Sequence, residues 1–307
     1  MFRGGETGII NFGFQNSEME NFILTRDTGR LTLEQRRFYE MSGYLVIPKL
    51  IPQETLNKFS RRFDDIVAGK TGRGVMTVMR DVVDRSSVNK LQDINHDEVF
   101  RCYIENKKIL DIVECFTGGN IMAIHSMLIA KPPDVGANSS RHPPHQDLYY
   151  FPIRPVNKIV ATWTAIEPCD TENGCLFVAP GSHLRGVLYP HAYPQDQIAN
   201  KMYFGIQDLS EFTRWIDLEM EPGDTVFFHP LLIHGSGANK SNRTRKAISC
   251  HYAAAECNYI EVNGTVQENM AREVLEVAAR RYPDIEIRLQ DVWRFKSSIA
   301  RGLKCNL

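Results

Sequence analysis

The segment Arg141-His142-Pro143-Pro144-His145-Gln146-Asp147 carries the chain's most informative chemistry, because His145 and Asp147 stand two residues apart. In extended backbone residues i and i+2 point to the same side, so an imidazole and a carboxylate converge on one point. A third donor is then needed. Of nine histidines, His234 stands out: it ends the apolar run Val226-Phe-Phe-His-Pro-Leu-Leu-Ile233 and is followed at once by the turn Gly235-Ser236-Gly237. Two His and one Asp form a facial triad that leaves three positions of an octahedral Fe(II) open to a chelating cosubstrate and O₂. A chelating 2-oxo acid also needs a cation for its distal carboxylate, and a planar guanidinium suits that task better than an ammonium. Arg245 lies eleven residues after His234, across a polar turn that could return the chain as a neighbouring strand. Arg245, Ala247, Ser249 and His251 would then share one face, with Ile248, Cys250 and Tyr252 on the other.

An isolated His-x-Asp arises often by chance in a chain with this many histidines, so the rivals matter. His229 sits five residues from His234, faces the opposite way in a strand and precedes Pro230; it reads as a packed histidine. His142 has the wrong parity relative to Asp147, His183 reads as a turn residue, and His251 stays open as an alternative. Other motifs fail. Gly69-Lys70-Thr71 imitates the end of a P-loop, but Asp64 stands where the opening glycine is required. Gly235-Ser-Gly237 lacks the third glycine of a dinucleotide fingerprint, Lys240 taking its place. No G-x-S-x-G elbow and no H-E-x-x-H pair occurs.

The elements that must position these groups are mostly short strands. β-like runs at Val75–Met79, Ile121–Ala130, Ile159–Ile166, Cys175–Val178, Thr225–His229, Leu231–His234 and Lys246–Ala253 are separated by Asn173-Gly174, Pro180-Gly181 and Pro222-Gly223-Asp224. This rhythm indicates a sandwich or barrel, not βαβ units. Helices flank it. Thr32 caps one that Gly43 ends, with Gln35 at the capping-box position. Pro52 opens another that reaches about Ala68 on a Leu56, Phe59, Phe63, Ile66/Val67 stripe, and Leu110–Phe116 and Gln267–Arg281 are also helical. A strand, Tyr44–Ile47, follows the first. Residues 1–30 read as a loosely ordered arm and 31–307 as one β-cored domain wrapped by helices.

Composition removes several function classes. With 36 Lys+Arg against 37 Asp+Glu, the chain lacks the basic excess of a nucleic-acid binder, and 43% hydrophobic content is too high for a disordered chain. Seven scattered cysteines without a CxxC pair point to a reducing compartment. No stretch approaches the roughly 18 apolar residues of a membrane span, and the N-terminus has no secretory h-region. A soluble, non-secreted protein is expected.

Leu33-Glu-Gln-Arg-Arg-Phe-Tyr-Glu-Met-Ser-Gly-Tyr-Leu-Val-Ile, Cys115-Phe-Thr-Gly, Ser140-Arg-His-Pro-Pro-His-Gln-Asp-Leu, Gly223-Asp-Thr-Val-Phe-Phe-His-Pro-Leu-Leu-Ile-His-Gly-Ser-Gly and Arg245-Lys-Ala-Ile-Ser-Cys-His resemble the phytanoyl-CoA dioxygenase family. The similarity runs from about Leu31 to the C-terminus. It implies a mainly β fold, a double-stranded β-helix (jelly-roll or cupin-like) with flanking α-helices. It also implies Fe(II) and 2-oxoglutarate as cofactor and cosubstrate, O₂ as oxidant and ascorbate as supporting reductant. By position it makes His145, Asp147 and His234 the iron ligands and Arg245 the partner of the distal carboxylate, and it adds Lys90, Met127, Trp163 and Ser236 around the cosubstrate. The implied reaction is 2-hydroxylation of a 3-methyl-branched acyl-CoA in fatty-acid alpha-oxidation, in the peroxisome, with the cytoplasm as the alternative location. The retained Asp147 fits hydroxylation, since related halogenases free that position for halide. Arg73, Arg80 and Arg85 are candidates for the CoA phosphates, and Lys304-Cys305-Asn306-Leu307 loosely resembles a C-terminal peroxisomal address. No protein partner is implied. Rival readings are a hydroxylase of another acyl-CoA or small metabolite, and a non-catalytic cupin-like binding protein.

Overall fold

The computed structural model describes residues 21–195 and 199–307; the first twenty residues of the expected arm lie outside that range. The rest of the arm is tied down. The Glu40 carboxylate accepts from the amides of Ile23, Leu24 and Thr25 and from the Thr25 hydroxyl, at 2.7–3.3 Å, and the Arg26 amide donates to the Cys115 carbonyl. A single carboxylate gathering several donors across 15 to 17 residues leaves no periodic trace in sequence, which explains the difference from expectation for 21–30.

Among the described residues six helices pack around the sheets: α1 (Leu33–Ser42), α2 (Gln53–Val67), α3 (Glu98–Ile104), α4 (Lys107–Thr117), α5 (Glu268–Arg281) and α6 (Leu289–Lys296). α1 begins at the expected capping box of Thr32 and Gln35 and stops at Gly43, whose φ of 80° suits glycine. A Cβ there would also meet the His183 ring at 2.5 Å. α2 buries Leu56, Phe59, Phe63 and Ile66 on one stripe, each contributing about 1.5–3 kcal/mol of transfer free energy.

The larger sheet is antiparallel and runs in the order Tyr44–Ile47, Thr225–Phe228, Ile159–Ala165, Arg245–Ala254, Ile121–Lys131, Val88–Gln92, Thr77–Arg80, with Ser298–Arg301 also paired to Ile121–Lys131. A four-stranded sheet faces it, ordered Ile216–Leu218, Leu176–Val178, His234–Ser236, His142–His145. Side chains alternate as strand geometry requires. From Arg245–Ala254, Ile248, Cys250 and Tyr252 join the core under α2–α4 with Phe59, Tyr103 and Phe116. Ala247 joins the core between the sheets with Trp163, Val178 and Phe228. This is the expected double-stranded β-helix.

One element differs where it matters. The expected strand Leu231–His234 is instead a turn and loop over residues 231–233, and His234 opens a strand instead of closing one. Pro230 has no amide hydrogen for a ladder, and the neighbouring amides find partners outside one: Leu231 donates to His229 Nδ1 and Ile233 to the distant Ser182 Oγ. Val88–Gln92, α3, α6 and Ser298–Arg301 had no sequence expectation. Leu307 is buried and its amide donates to the Ala255 carbonyl, while residues 302–306 are exposed. No helix among the described residues is long and apolar enough to cross a membrane.

Candidate active site

His234 and His145 are direct cross-strand partners in the smaller sheet, which brings their rings to 4.3 Å between centroids. Asp147 comes in by a shorter path than a continuous strand. Gln146 is extended (φ −116°, ψ 128°), and Asp147 then begins a 3₁₀ turn, Asp147–Tyr150. One extended residue is enough to return the carboxylate to the His145 side. Gln146 is locked in that role: its side-chain amide donates to the Val187 and Leu231 carbonyls and accepts from the Tyr189 amide, each at 2.9 Å. Asp147 Oδ1 lies 3.4 Å from His145 Nε2 and 3.7 Å from His234 Nε2. The three donor atoms all fall within 4.8 Å of one another. Ligand bonds of about 2.1 Å at right angles separate donors by about 3 Å, so this buried N₂O set could close on one divalent transition metal, and its chemistry suits Fe(II).

The neighbours prepare each ligand. His145 Nδ1 pairs with the Pro143 carbonyl at 2.8 Å and His234 Nδ1 with the Leu232 carbonyl at 3.0 Å; Nδ1–H donates in both, so Nε2 presents its lone pair to the centre. Burial lowers the His234 pKa to about 4 against the opposing pull of Asp147, keeping the ring neutral at pH 7. Burial alone would raise the Asp147 carboxyl, yet His251, His234 and the hydrogen bonds of His145 and His251 hold it well below the usual range. His251 Nε2 lies 2.9 Å from Asp147 Oδ2 and so turns Oδ1 toward the two histidines. His251 is therefore a positioning group, although its parity with Arg245 had left it open as a ligand. His142 is not in the triad; it stacks on His145 at 3.9 Å and on Tyr203 at 4.2 Å. His229 and His183 lie 5.4 Å apart and outside the cavity, where burial lowers the His229 pKa to about 3.

The triad opens into a cavity of about 520 Å³ whose walls include Lys90, Met127, Trp163, Ser236 and Arg245, so all eight sequence-derived site residues meet there. Arg245 is buried. One of its terminal nitrogens donates to the Gly174 carbonyl at 2.8 Å, its guanidinium lies 5.2 Å from the Trp163 ring, and its Nε and other terminal nitrogen have no partner among the described residues. A buried guanidinium with donors to spare is what a carboxylate would satisfy. Lys90 lies over the Tyr203 ring at 4.8 Å, and burial lowers its pKa to about 8. Lys131 was missed. Its ammonium donates to Ser236 Oγ at 2.8 Å and to the Gly237 carbonyl, leaving the Ser236 hydroxyl hydrogen free to point elsewhere. Parity with Met127 and Ile129 in the same strand was the signal for it. Arg73, Arg80 and Arg85 do not line this cavity; Arg73 bonds the Met76 carbonyl, and Arg80 those of Arg85 and Ser86.

The family model described as phytanoyl-CoA dioxygenase (PhyH) matches residues 39–247. Peroxisomal phytanoyl-CoA dioxygenase from Bos taurus is 49% identical over 297 residues, covering 94% of this chain and 88% of that protein. The Homo sapiens enzyme is likewise 49% identical, with the same coverage. A probable phytanoyl-CoA dioxygenase from Caenorhabditis elegans is 46% identical over 92% of this chain and 97% of its own. Among solved structures, EctD from S. alaskensis with 2-oxoglutarate and 5-hydroxyectoine superposes with a TM-score of 0.62 at 14% identity, over 79% of this chain and 83% of that one. The epimerase SnoN in complex with Fe³⁺, alpha ketoglutarate and nogalamycin RO gives 0.58 at 18% identity, over 74% and 85%. At those identities the structures establish the fold alone. The sequence match is stronger evidence, for its span reaches from α1 to the strand of Arg245 and holds all eight sequence-derived site residues, and on that ground the chain belongs to the phytanoyl-CoA dioxygenase family of enzymes.

Proposed function

We propose that this protein is an Fe(II)- and 2-oxoglutarate-dependent dioxygenase that hydroxylates C2 of phytanoyl-CoA or a similar 3-methyl-branched acyl-CoA. The balanced reaction takes the thioester, 2-oxoglutarate and O₂ to the 2-hydroxyacyl-CoA, succinate and CO₂. The carrying observation is that a neutral-nitrogen and carboxylate triad and a buried, under-partnered guanidinium open into one cavity. When bound, the iron and 2-oxoglutarate supply O₂ activation and hydrogen abstraction.

In this reading His145, Asp147 and His234 would hold the metal at the buried end of the cavity. Arg245 takes the distal carboxylate of 2-oxoglutarate with its spare donors, Trp163 backs the guanidinium, and Lys90 and the Ser236 hydroxyl add polar contacts. Met127 supplies an apolar wall beside them. Asp147 keeps a carboxylate where a halide would otherwise sit, which favours oxygen transfer. The depth of the site excludes bulk water from the reacting centre. Ascorbate as supporting reductant and a place in fatty-acid alpha-oxidation are part of the same proposal, as is a peroxisomal location, which alone of the three is supported by the names of the relatives.

The test is to load the protein anaerobically with Fe(II) and 2-oxoglutarate, add phytanoyl-CoA and O₂, and measure succinate and 2-hydroxyphytanoyl-CoA. Equimolar products that vanish in His145→Ala and Asp147→Ala are expected. Turnover that survives either substitution, or succinate driven by free acids and not by CoA thioesters, would overturn the reading.

A further inference from the structure

The cavity extends beyond the metal triad to a wall that the family match does not include. That match ends at residue 247, whereas α5 and α6 lie after it. On α5 the residues facing the cavity are Val274, Val277, Ala278 and Arg281, spaced i, i+3, i+4, i+7 as one helical face. The N-terminal part of the same helix has a protein partner: Met270 packs with Tyr149 and Phe204. Further along, the stripe remains apolar but loses that cover, and Val277 is 42% exposed. Val292 and Phe295 of α6 close the other side, and Phe295 is 45% exposed. Cations come only at the end of each stripe: Arg281 donates to the Thr77 hydroxyl, and Lys296 pairs with Asp93 at 2.6 Å. An apolar face left open on a path continuous with a buried reaction centre is suited to a hydrocarbon chain, because Val274, Val277, Ala278, Val292 and Phe295 along it neither offer nor need a side-chain hydrogen bond.

We propose that the α5–α6 pair is the acyl-chain wall of this enzyme and that Val277, Ala278 and Val292 determine which chains are accepted. The inference rests on the acyl-CoA reading above and adds where the chain lies and what selects it.

Wild type, Ala278→Phe and Val277→Ala are compared on 3-methyl-branched acyl-CoAs of increasing length, reading 2-hydroxyacyl-CoA and succinate. Separately, displacement of a fluorescent long-chain acyl probe from metal-free protein measures chain binding without turnover. Ala278→Phe should lower kcat/KM for the longest chains at least about tenfold, the scale of one or more displaced methylenes, while leaving the shortest within about twofold. Val277→Ala should move the preference the other way, and its half-exposed site makes it safe for folding if the Phe variant fails. 2-Oxoglutarate affinity should be unchanged in both. A chain-length profile that does not move, or a loss equal at every length, overturns the inference. If wild type turns over no thioester but the probe binds in a manner sensitive to both substitutions, the acyl-CoA reading fails while the apolar wall stands.

Discussion

Replacing Lys90 by Met should stabilise the protein while weakening its cosubstrate binding, and the opposite signs make the substitution diagnostic. The ammonium is buried, and burial brings its pKa from 10.5 down to about 8, with Lys296 adding to the shift and Asp147 opposing it. At about 1.4 kcal/mol for each tenfold change in proton affinity, the charged form carries a penalty of about 3 kcal/mol at pH 7. Methionine keeps the length and flexibility of the stem and removes the charge. It also forfeits the contact with the Tyr203 ring, a loss of about 1 kcal/mol. The net gain is then about 2 kcal/mol. Between pH 8 and 10.5 the unfolded chain holds this proton and the folded protein does not, so the wild-type stability from this group rises with pH through that window. The advantage of the variant should therefore shrink by about 2 kcal/mol by pH 10. Urea unfolding of the metal-free proteins at pH 7 and pH 10 measures both quantities. Titration of 2-oxoglutarate should show affinity lower by a factor of about 10–100, from the loss of one charge-assisted hydrogen bond. A variant less stable than wild type at pH 7, or a difference indifferent to pH, would refute the burial argument; unchanged 2-oxoglutarate affinity would remove Lys90 from the cosubstrate site.

Arg245→Lys keeps the charge but not the fork, so the KM for 2-oxoglutarate should rise about 10–100-fold with a smaller change in kcat, measured by succinate release. His251→Leu frees Asp147 Oδ2 from its 2.9 Å partner; Fe(II) affinity should fall about 10–100-fold, with partial recovery in His251→Gln, read by metal titration. Gly174 has φ +79° and an added Cβ would collide with the Gly237 carbonyl. Gly174→Ala should therefore cost at least about 1–3 kcal/mol in thermal unfolding, and should also weaken 2-oxoglutarate because the Gly174 carbonyl anchors Arg245.

What was legible in the sequence was whatever depends on short range. The α1 cap at Thr32, the α2 stripe, the glycine and proline turns and the alternation from Arg245 to Tyr252 all arise between residues a few positions apart, where backbone geometry is enough. The His145–Asp147 pair belongs here too, since one extended residue sets its convergence. Lys90 and Met127 came from resemblance alone, because nothing local distinguishes a lysine in Val88–Gln92 from a surface one. Tertiary structure decided the rest. The pairing of His234 with His145 depends on strand register across 89 residues, and His234 reaches it from a turn, which Pro230 imposes, and not from the end of a strand. Whether His251 is a ligand or a positioning group turned on its 2.9 Å approach to Asp147 Oδ2, and parity could not separate the two roles. The buried Leu307, the clamp of Glu40 on residues 23–25 and the meeting of α5 with α6 over the cavity are likewise contacts between distant segments. Local pattern reports which face a side chain takes; only the packed chain sets what stands opposite it, because that depends on where the rest of the backbone goes.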